Sequence, residues 1–332
     1  VPGDFVWRDA GRLVVFRHGA LAAAPELLAA HGIAEFELVS TPRARAAAPD
    51  LATAAAAVHD VPPGQVPDLA ADLLGESGVL VALGGGRVID TAKAVASVTG
   101  ATVVAVPTTL SGAEMTAIHR LPAGAESRVR GMVRPALVLA DPEAMTGQPE
   151  GQLRASAMNA LAHGADSLYT PLSNPASEQL ALRGAAEIAA ALDQDREGRD
   201  RAALALGSLL CGYAIDSAGF GLHHVVCQTL VRICGTPHAE TNATILPHAL
   251  EFLANQTPAD FAPLAESLNT DLSALPQRIR TLAGHPPGLQ ALGADPSKLD
   301  QAIQAILQRP ELTQAPTPPS KQELTELLRA AW

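Results

Sequence analysis

The 332-residue sequence predicts two domains: an α/β domain on a parallel sheet over 1–150, and an all-α domain over 151–332. Three observations carry this. Strand-like and helix-like segments alternate as far as about residue 145, the pattern of a parallel sheet with helices on both faces. In the middle of that stretch, Val79 to Leu83 breaks at Gly84, Gly85 and Gly86, runs into a helix-spaced segment, and is followed by a β-branched run from Thr102 to Val106. That is a βαβ unit, whose crossover should be right-handed. From about Gln152 onward strand signals nearly vanish and long helical windows take over.

Each element has a local reason. Leu13 to Phe16 is a short apolar strand, and the alanine-rich stretch from Leu21 to His31 is a helix. Glu35 to Ser40 is the next strand, closed by Thr41-Pro42. Arg43 to Val58 is expected to be a helix interrupted at Pro49, and Asp60-Val61-Pro62-Pro63-Gly64 a loop. Val66 to Leu74 is the helix that feeds the central strand. In the central helix Val88, Ile89, Ala92, Val95 and Ala96 fall on one face. Ala117 to Met132 is polar, carries Arg120, Arg128 and Arg130 with Arg134 just beyond, and is expected to form a hairpin. Ala136 to Leu139 is one more strand, ended by Asp141-Pro142. The helical windows are Gln152 to Tyr169, Ala176 to Leu192, Arg201 to Ser217, Gly221 to Cys234 and His238 to Leu253, with shorter helices beyond Asn255 and a last one near Ser320 to Ala331.

A hydrophobic share of 48% with 17% charged residues is that of a chain with a substantial core, built here from Ala, Leu and Val because aromatics make up only 3%. The formal charge of −11 excludes a nucleic-acid footprint, which needs a basic face. Cys211, Cys227 and Cys234 are an odd, widely spaced set that fits buried thiols in a reducing compartment. No signal segment or membrane-length apolar run is evident, so the expected location is the cytoplasm, with no membrane partner.

The glycine turn has a chemical use. Without Cβ atoms the backbone can approach a phosphate, and the N–H groups opening the helix point at its charge. A plain tight turn is the alternative. Asp90 and Lys93 on the first turns of the helix, and the polar segment PTTLSGAE leaving the next strand, favour a ligand at the carboxyl ends of these strands. Histidines give the second signal. Four of the ten lie between residues 223 and 248, and His163 shares a helix face with Asn159. His224 and His238 flank an apolar segment, and Asn242 follows His238 by four. Three imidazoles with an oxygen donor suit either a divalent metal or a proton relay.

The motifs GGGRVIDTAK, VPTTLSGAEMT, MNALAH, GLHHVVC and PHAETNATILPH, in this order, resemble the iron-containing alcohol dehydrogenase superfamily and its dehydroquinate-synthase-like fold. Among its branches they look most like maleylacetate reductases. The resemblance implies a Rossmann-like nucleotide-binding α/β domain followed by a helical one, NADH or NADPH as cofactor, a homodimer, and reduction of an alkene conjugated with a carbonyl in a small carboxylate substrate. Carried over, Gly84, Gly85, Gly86 and Asp90 lie along the pyrophosphate, and Thr108, Thr109 and Ser111 hold the phosphate, ribose or nicotinamide side. His163, His224 and His238 fall where metal-dependent members place their histidines, and are the expected catalytic groups.

The departures from the pattern are informative. Asn159 replaces the aspartate of the metal set, so no tightly bound metal is expected. Arg87 stands where a serine is usual and would touch a phosphate or obstruct it. Gln228 and Asn242 replace histidines; with Asn159 they are expected to contact substrate by hydrogen bonds, since an amide moves no proton near neutrality. Arg87 and the Arg120 to Arg134 group are further candidates for a substrate carboxylate. The same departures leave a second reading open: a non-redox cyclase, dehydratase or isomerase on this scaffold, its cofactor site repurposed or lost.

Overall fold

A computed structural model describes residues 5–9, 11–75 and 78–332, and the chain divides into two compact units, Val1–Gln148 and Pro149–Trp332. In the first, the strands are β1 (Phe5–Asp9), β2 (Arg12–Phe16), β3 (Glu37–Ser40), β4 (Ala57–Asp60), β5 (Val79–Gly84), β6 (Thr102–Pro107) and β7 (Leu137–Ala140). Among the described residues they form one sheet in the order β1-β2-β7-β6-β5-β3-β4. Six of them run parallel, and β1 pairs antiparallel with β2 at the edge.

The inner strands are buried on both faces, which is why they read as unbroken apolar runs rather than alternating ones. On one face Leu13, Val15, Leu38, Val81, Leu83, Val104, Val106, Leu137 and Leu139 form a core with residues of α1 (Ala24–Ala30), α2 (Pro42–Ala46) and α3 (Pro49–Ala54). Alternate residues such as Leu80, Ala82, Val103, Ala105 and Val138 point to the other face and are also buried. There α5 (Gly86–Thr99) packs on β5 and β6, and α4 (Val66–Asp72) packs on α5. The short helix α6 (Pro142–Met145), capped by Asp141, follows β7.

Three local expectations change. The helix expected from Arg43 to Val58 ends at Ala54, and Ala57–Asp60 becomes β4, paired with β3 from Glu37↔Ala57 to Ser40↔Asp60. Alanine favours a helix locally, but pairing along the open side of β3 overrides so weak a preference. The hairpin expected over Ala117 to Met132 is an irregular segment with one 3₁₀ turn, Glu126–Arg128. His119 pins it, with Nε2 accepting the Val133 N–H at 3.2 Å and Nδ1 lying 3.1 Å from the Arg120 carbonyl. Strand β1 has no counterpart in the sequence reading.

The second unit is helical: α7 (Glu150–Asp166), α8 (Pro175–Asp193), α9 (Arg201–Ala218), α10 (Leu222–Cys234), α11 (His238–Gln256), α12 (Pro258–Ser267), α13 (Leu275–Leu282), α14 (Leu299–Leu307) and α15 (Lys321–Ala330). Helix α7 is its axis. From Ala155 to Asp166 every residue is buried, packed by α8, α9, α10 and α11. Helix α8 starts at a capping box in which the Asn174 side chain accepts the Ser177 N–H and Ser177 returns the bond. No single helix among the described residues is long and apolar enough to cross a membrane.

Candidate active site

In the first unit, the loops leaving β5 and β6 emerge together because Gly84 and Pro107 are in register on adjacent parallel strands. The Thr108 N–H donates to the Gly84 carbonyl at 3.0 Å. A Cβ on Gly85 would sit 2.9 Å from Thr109 Cγ2, and one on Gly86 would sit 3.0 Å from Ser111 Cβ. A side chain at either position would have to displace Thr109 or Ser111, so glycine suits the close approach of the two loops. Gly85 is also the N-cap of α5 and supplies no side-chain oxygen to its first N–H groups, as an anion-binding helix start requires. The structure thus brings Gly84, Gly85, Gly86, Thr108, Thr109 and Ser111 together. Arg87 is exposed on the first turn of α5, and Asp90 one turn further on pairs with Lys93 at 2.8 Å.

Lys93 is fully buried. Its Nζ donates to the carbonyls of Ala113 (2.9 Å), Thr116 (3.0 Å) and Ile118 (2.8 Å), stitching the segment after β6 to α5. Glu114 lies in that segment, fully buried, with Ser111 Oγ 3.5 Å from its Oε2. Burial pushes its carboxyl up to about 7, against the opposing pull of its own backbone N–H, Lys93 and Ser111. A folded-state pKa above the unfolded one means stability is highest below the unfolded value of 4.5 and is lost as pH rises through about 7. Glu114→Gln removes this loss. The variant is expected to gain about 3 kcal/mol relative to its parent between pH 5 and pH 8; parallel slopes of denaturation midpoint against pH would reject the assignment.

In the second unit, α7 and α10 bring two histidines face to face. The rings of His163 and His224 stack with centroids 4.8 Å apart and planes inclined by 19°. His223 stands edge-on to His224 at 5.0 Å, and Phe220 closes another side at 6.1 Å. Burial, reinforced by His224 and His238, holds the His163 pKa well below the usual imidazole value, so the ring is neutral at pH 7. Burial takes His223 down to about 3. Asp166 behaves oppositely. Burial alone would raise its carboxyl, but the hydrogen bond from His224, the neighbouring imidazoles and the Tyr169 hydroxyl outweigh it and hold it at about 2. An ionised carboxylate therefore lies beneath the histidine stack, with Asp166 Oδ2 at 2.8 Å from His224 Nδ1. His163 Nδ1 and His224 Nε2 are buried without a hydrogen-bond partner.

The remaining expected residues separate. His238 opens α11 and is exposed. Asn159 is buried on α7, one turn before His163. Asn242, expected at the substrate, is fully buried with its amide engaged: Nδ2 donates to the His238 carbonyl at 2.7 Å, and Oδ1 lies 2.9 Å from His223 Nε2. Gln228, expected there too, accepts from Arg309 at 3.0 Å, and Arg309 also pairs with Glu311. Cys227 lies 3.6 Å from His223 Nε2, but burial pushes its thiol well up, so the pair is neutral and inert.

Residues 12–142 match the iron-containing alcohol dehydrogenase family, and residues 154–332 match the C-terminal domain of the Fe-containing alcohol dehydrogenase family. The chain is 35% identical to the maleylacetate reductase of Pseudomonas sp. (strain P51), covering 96% of this chain and 95% of that protein. The chain belongs to the iron-containing alcohol dehydrogenase family. Among relatives of that family it is also 30% identical to the maleylacetate reductase of Rhizobium sp. (strain MTP-10005), over 99% of this chain and 97% of that one. The crystal structure of maleylacetate reductase from Agrobacterium tumefaciens superposes with a TM-score of 0.85 at 29% identity, covering 100% of this chain and 99% of that one. The Rossmann-like sheet followed by a helical unit is the fold of these relatives.

The family's name raises the question of an iron or similar ion at the histidines. The donor set fits such an ion poorly. Asn159 offers a neutral amide where a carboxylate would bind a divalent ion more strongly.

In the second unit Asp166 and Tyr169 were absent from the sequence reading, and in the first Glu114 was noted only as part of a polar segment. Asp166 carried a usable signal: it follows His163 by three residues on the same helix and so shares its face.

Proposed function

We propose that this chain is a maleylacetate-reductase-like oxidoreductase that uses NADH or NADPH. The observation that carries the reading is the 35% identity to a maleylacetate reductase across 96% of the chain. The chemistry is a two-electron reduction. Hydride passes from the nicotinamide to one carbon of an alkene conjugated with a carbonyl, and a proton goes to the other carbon, leaving oxidised cofactor and a saturated oxo acid. In this reading Gly84, Gly85, Gly86, Thr108, Thr109 and Ser111 bind the cofactor phosphates and ribose, with Arg87 and Asp90 beside them. His224 and His238 handle the proton, and neutral His163 supplies a hydrogen bond to developing enolate charge. Asn159 donates to the substrate, while Asn242 and Gln228 support this surface from behind through His223 and Arg309. No step runs through a tightly held metal ion.

The test is a titration of purified protein with each dinucleotide, followed by nicotinamide fluorescence, and then turnover with maleylacetate. Both cofactors should bind, with Kd values within about tenfold of each other. The segment after β3 explains why. Ser40 donates to the Leu83 carbonyl at 2.8 Å, Thr41 caps α2, and Arg45 neutralises Asp60 at the end of β4. Arg43 is left exposed beside them, and no carboxylate in the segment repels a 2′-phosphate. A preference for NADH of a hundredfold or more would assign the choice to other residues. Absence of binding by either dinucleotide would remove the redox reading in favour of a non-redox reaction on this scaffold.

A further inference from the structure

Asp166 is over-determined. Its Oδ1 accepts from the Tyr169 hydroxyl at 2.5 Å. Its Oδ2 accepts from the backbone N–H of Gly221 at 3.1 Å, the backbone N–H of His224 at 3.2 Å, and lies 2.8 Å from His224 Nδ1. The side chain is 1% exposed, so these partners, not water, fix its orientation. The surroundings are shaped to permit this. A Cβ on Gly221 would lie 2.5 Å from Tyr169 Oη, so any other residue would push the hydroxyl off the carboxylate. Gly221 is the N-cap of α10 and brings no side-chain acceptor of its own, and Asp166 fills that role from α7.

A carboxylate has no proton to give, so the nitrogen facing it must be the one that carries hydrogen. We propose that Asp166 is the positioning residue of this site: it holds His224 in the tautomer protonated on Nδ1 and so leaves Nε2 as the nitrogen that exchanges a proton with substrate. His224 Nε2 is buried and unpartnered, as such an atom must be before substrate arrives. His163 stacked on one face of the ring and His223 edge-on to it keep the imidazole from turning. In the reduction, Nε2 first takes a proton from solvent, which makes the ring an imidazolium against the Asp166 carboxylate, and passes that proton to the carbon beside the carbonyl as the hydride reaches the other alkene carbon; the ring is left again in its Nδ1–H tautomer. An orienting carboxylate of this kind acts through the histidine and never touches substrate. The choice of substrate rests on the reductase reading above; the tautomer does not.

A helix cap alone would explain some of the same contacts, so the test must separate the two roles. In protein labelled with ¹⁵N-histidine, the His224 ring, identified by its loss in His224→Gln, should show hydrogen on Nδ1. Asp166→Asn can place its carbonyl oxygen on the three donors now at Oδ2 and its NH₂ on Tyr169 Oη. It should keep the tautomer and hold kcat within about tenfold of the parent. Asp166→Ala should populate both tautomers and lower kcat by about 10²–10⁴-fold with KM changed less than about threefold. A wild-type ring protonated on Nε2 and not on Nδ1 overturns the proposal outright. So does Asp166→Ala with unchanged tautomer or unchanged kcat, which would leave only a cap. Asp166→Asn that keeps the tautomer but loses kcat by more than about 10³-fold overturns it as well, since charge rather than orientation would then be at stake. If Asp166→Ala does not fold, the wild-type and Asp166→Asn spectra decide. If the parent turns over no maleylacetate, the reductase reading fails while the tautomer measurement still judges this one.

Discussion

His238→Ala is expected to lower turnover by about 10²–10⁴-fold, the range for a lost acid–base group, with little change in thermal midpoint. His238 is exposed at the first turn of α11, so truncating it opens no cavity. His224→Ala should show a comparable loss of turnover but a different stability. There the ionised Asp166 loses its 2.8 Å imidazole donor in a buried setting, and Tyr169 and two backbone N–H groups must hold the carboxylate alone. Hydrogen bonds to charged groups contribute roughly 1.5–3 kcal/mol, so a loss of about 2–3 kcal/mol is expected in addition. Turnover per folded molecule and denaturation midpoint, measured on both variants, separate chemistry from folding. Normal turnover in both would remove these histidines from the mechanism. Equal destabilisation of both would show that His238 is embedded in the fold rather than presented from it.

Lys93→Met should be the most destabilising single change in the first unit, by about 3–5 kcal/mol. Methionine is one atom shorter and has none of the donors, leaving the carbonyls of Ala113, Thr116 and Ile118 buried beside an unpaired Asp90. Asp90 is 30% exposed and can recover some hydration, so most of the cost comes from the carbonyls. The consequence for function follows from position: these carbonyls lie in the segment just after Ser111. Loosening it should weaken dinucleotide binding, by about tenfold or more in Kd, even in the molecules that remain folded. Binding measured well below the denaturation midpoint tests this. A variant with parental affinity and lowered stability would confine Lys93 to folding, and a variant with parental stability would mean that water replaces the ammonium.

Local pattern alone was enough for much of this protein. The run from Val79 to Val106 carries its own instructions: two apolar strands, a glycine turn, and a helix with an apolar face. The helices from α7 to α11 are legible for the same reason, since their signals repeat every three or four residues and need no distant partner. The family, too, was legible, because its motifs are short contiguous stretches. What local pattern could not supply depends on contacts across the chain. Ala57–Asp60 becomes a strand because β3 has an open side, a fact about pairing rather than propensity. Asn242 and Gln228 look like substrate contacts in sequence, yet their amides meet His223 and Arg309, which lie 19 and 81 residues away. Asp166 was an ordinary acidic residue on a helix until folding brought Gly221 and His224 to it, 55 and 58 residues on. Charge state is decided at the same level: Glu114 and Asp166 are both fully buried carboxyls, and burial alone would raise each. One rises to about 7 and the other is held at about 2 because only Asp166 is surrounded by donors strong enough to replace water.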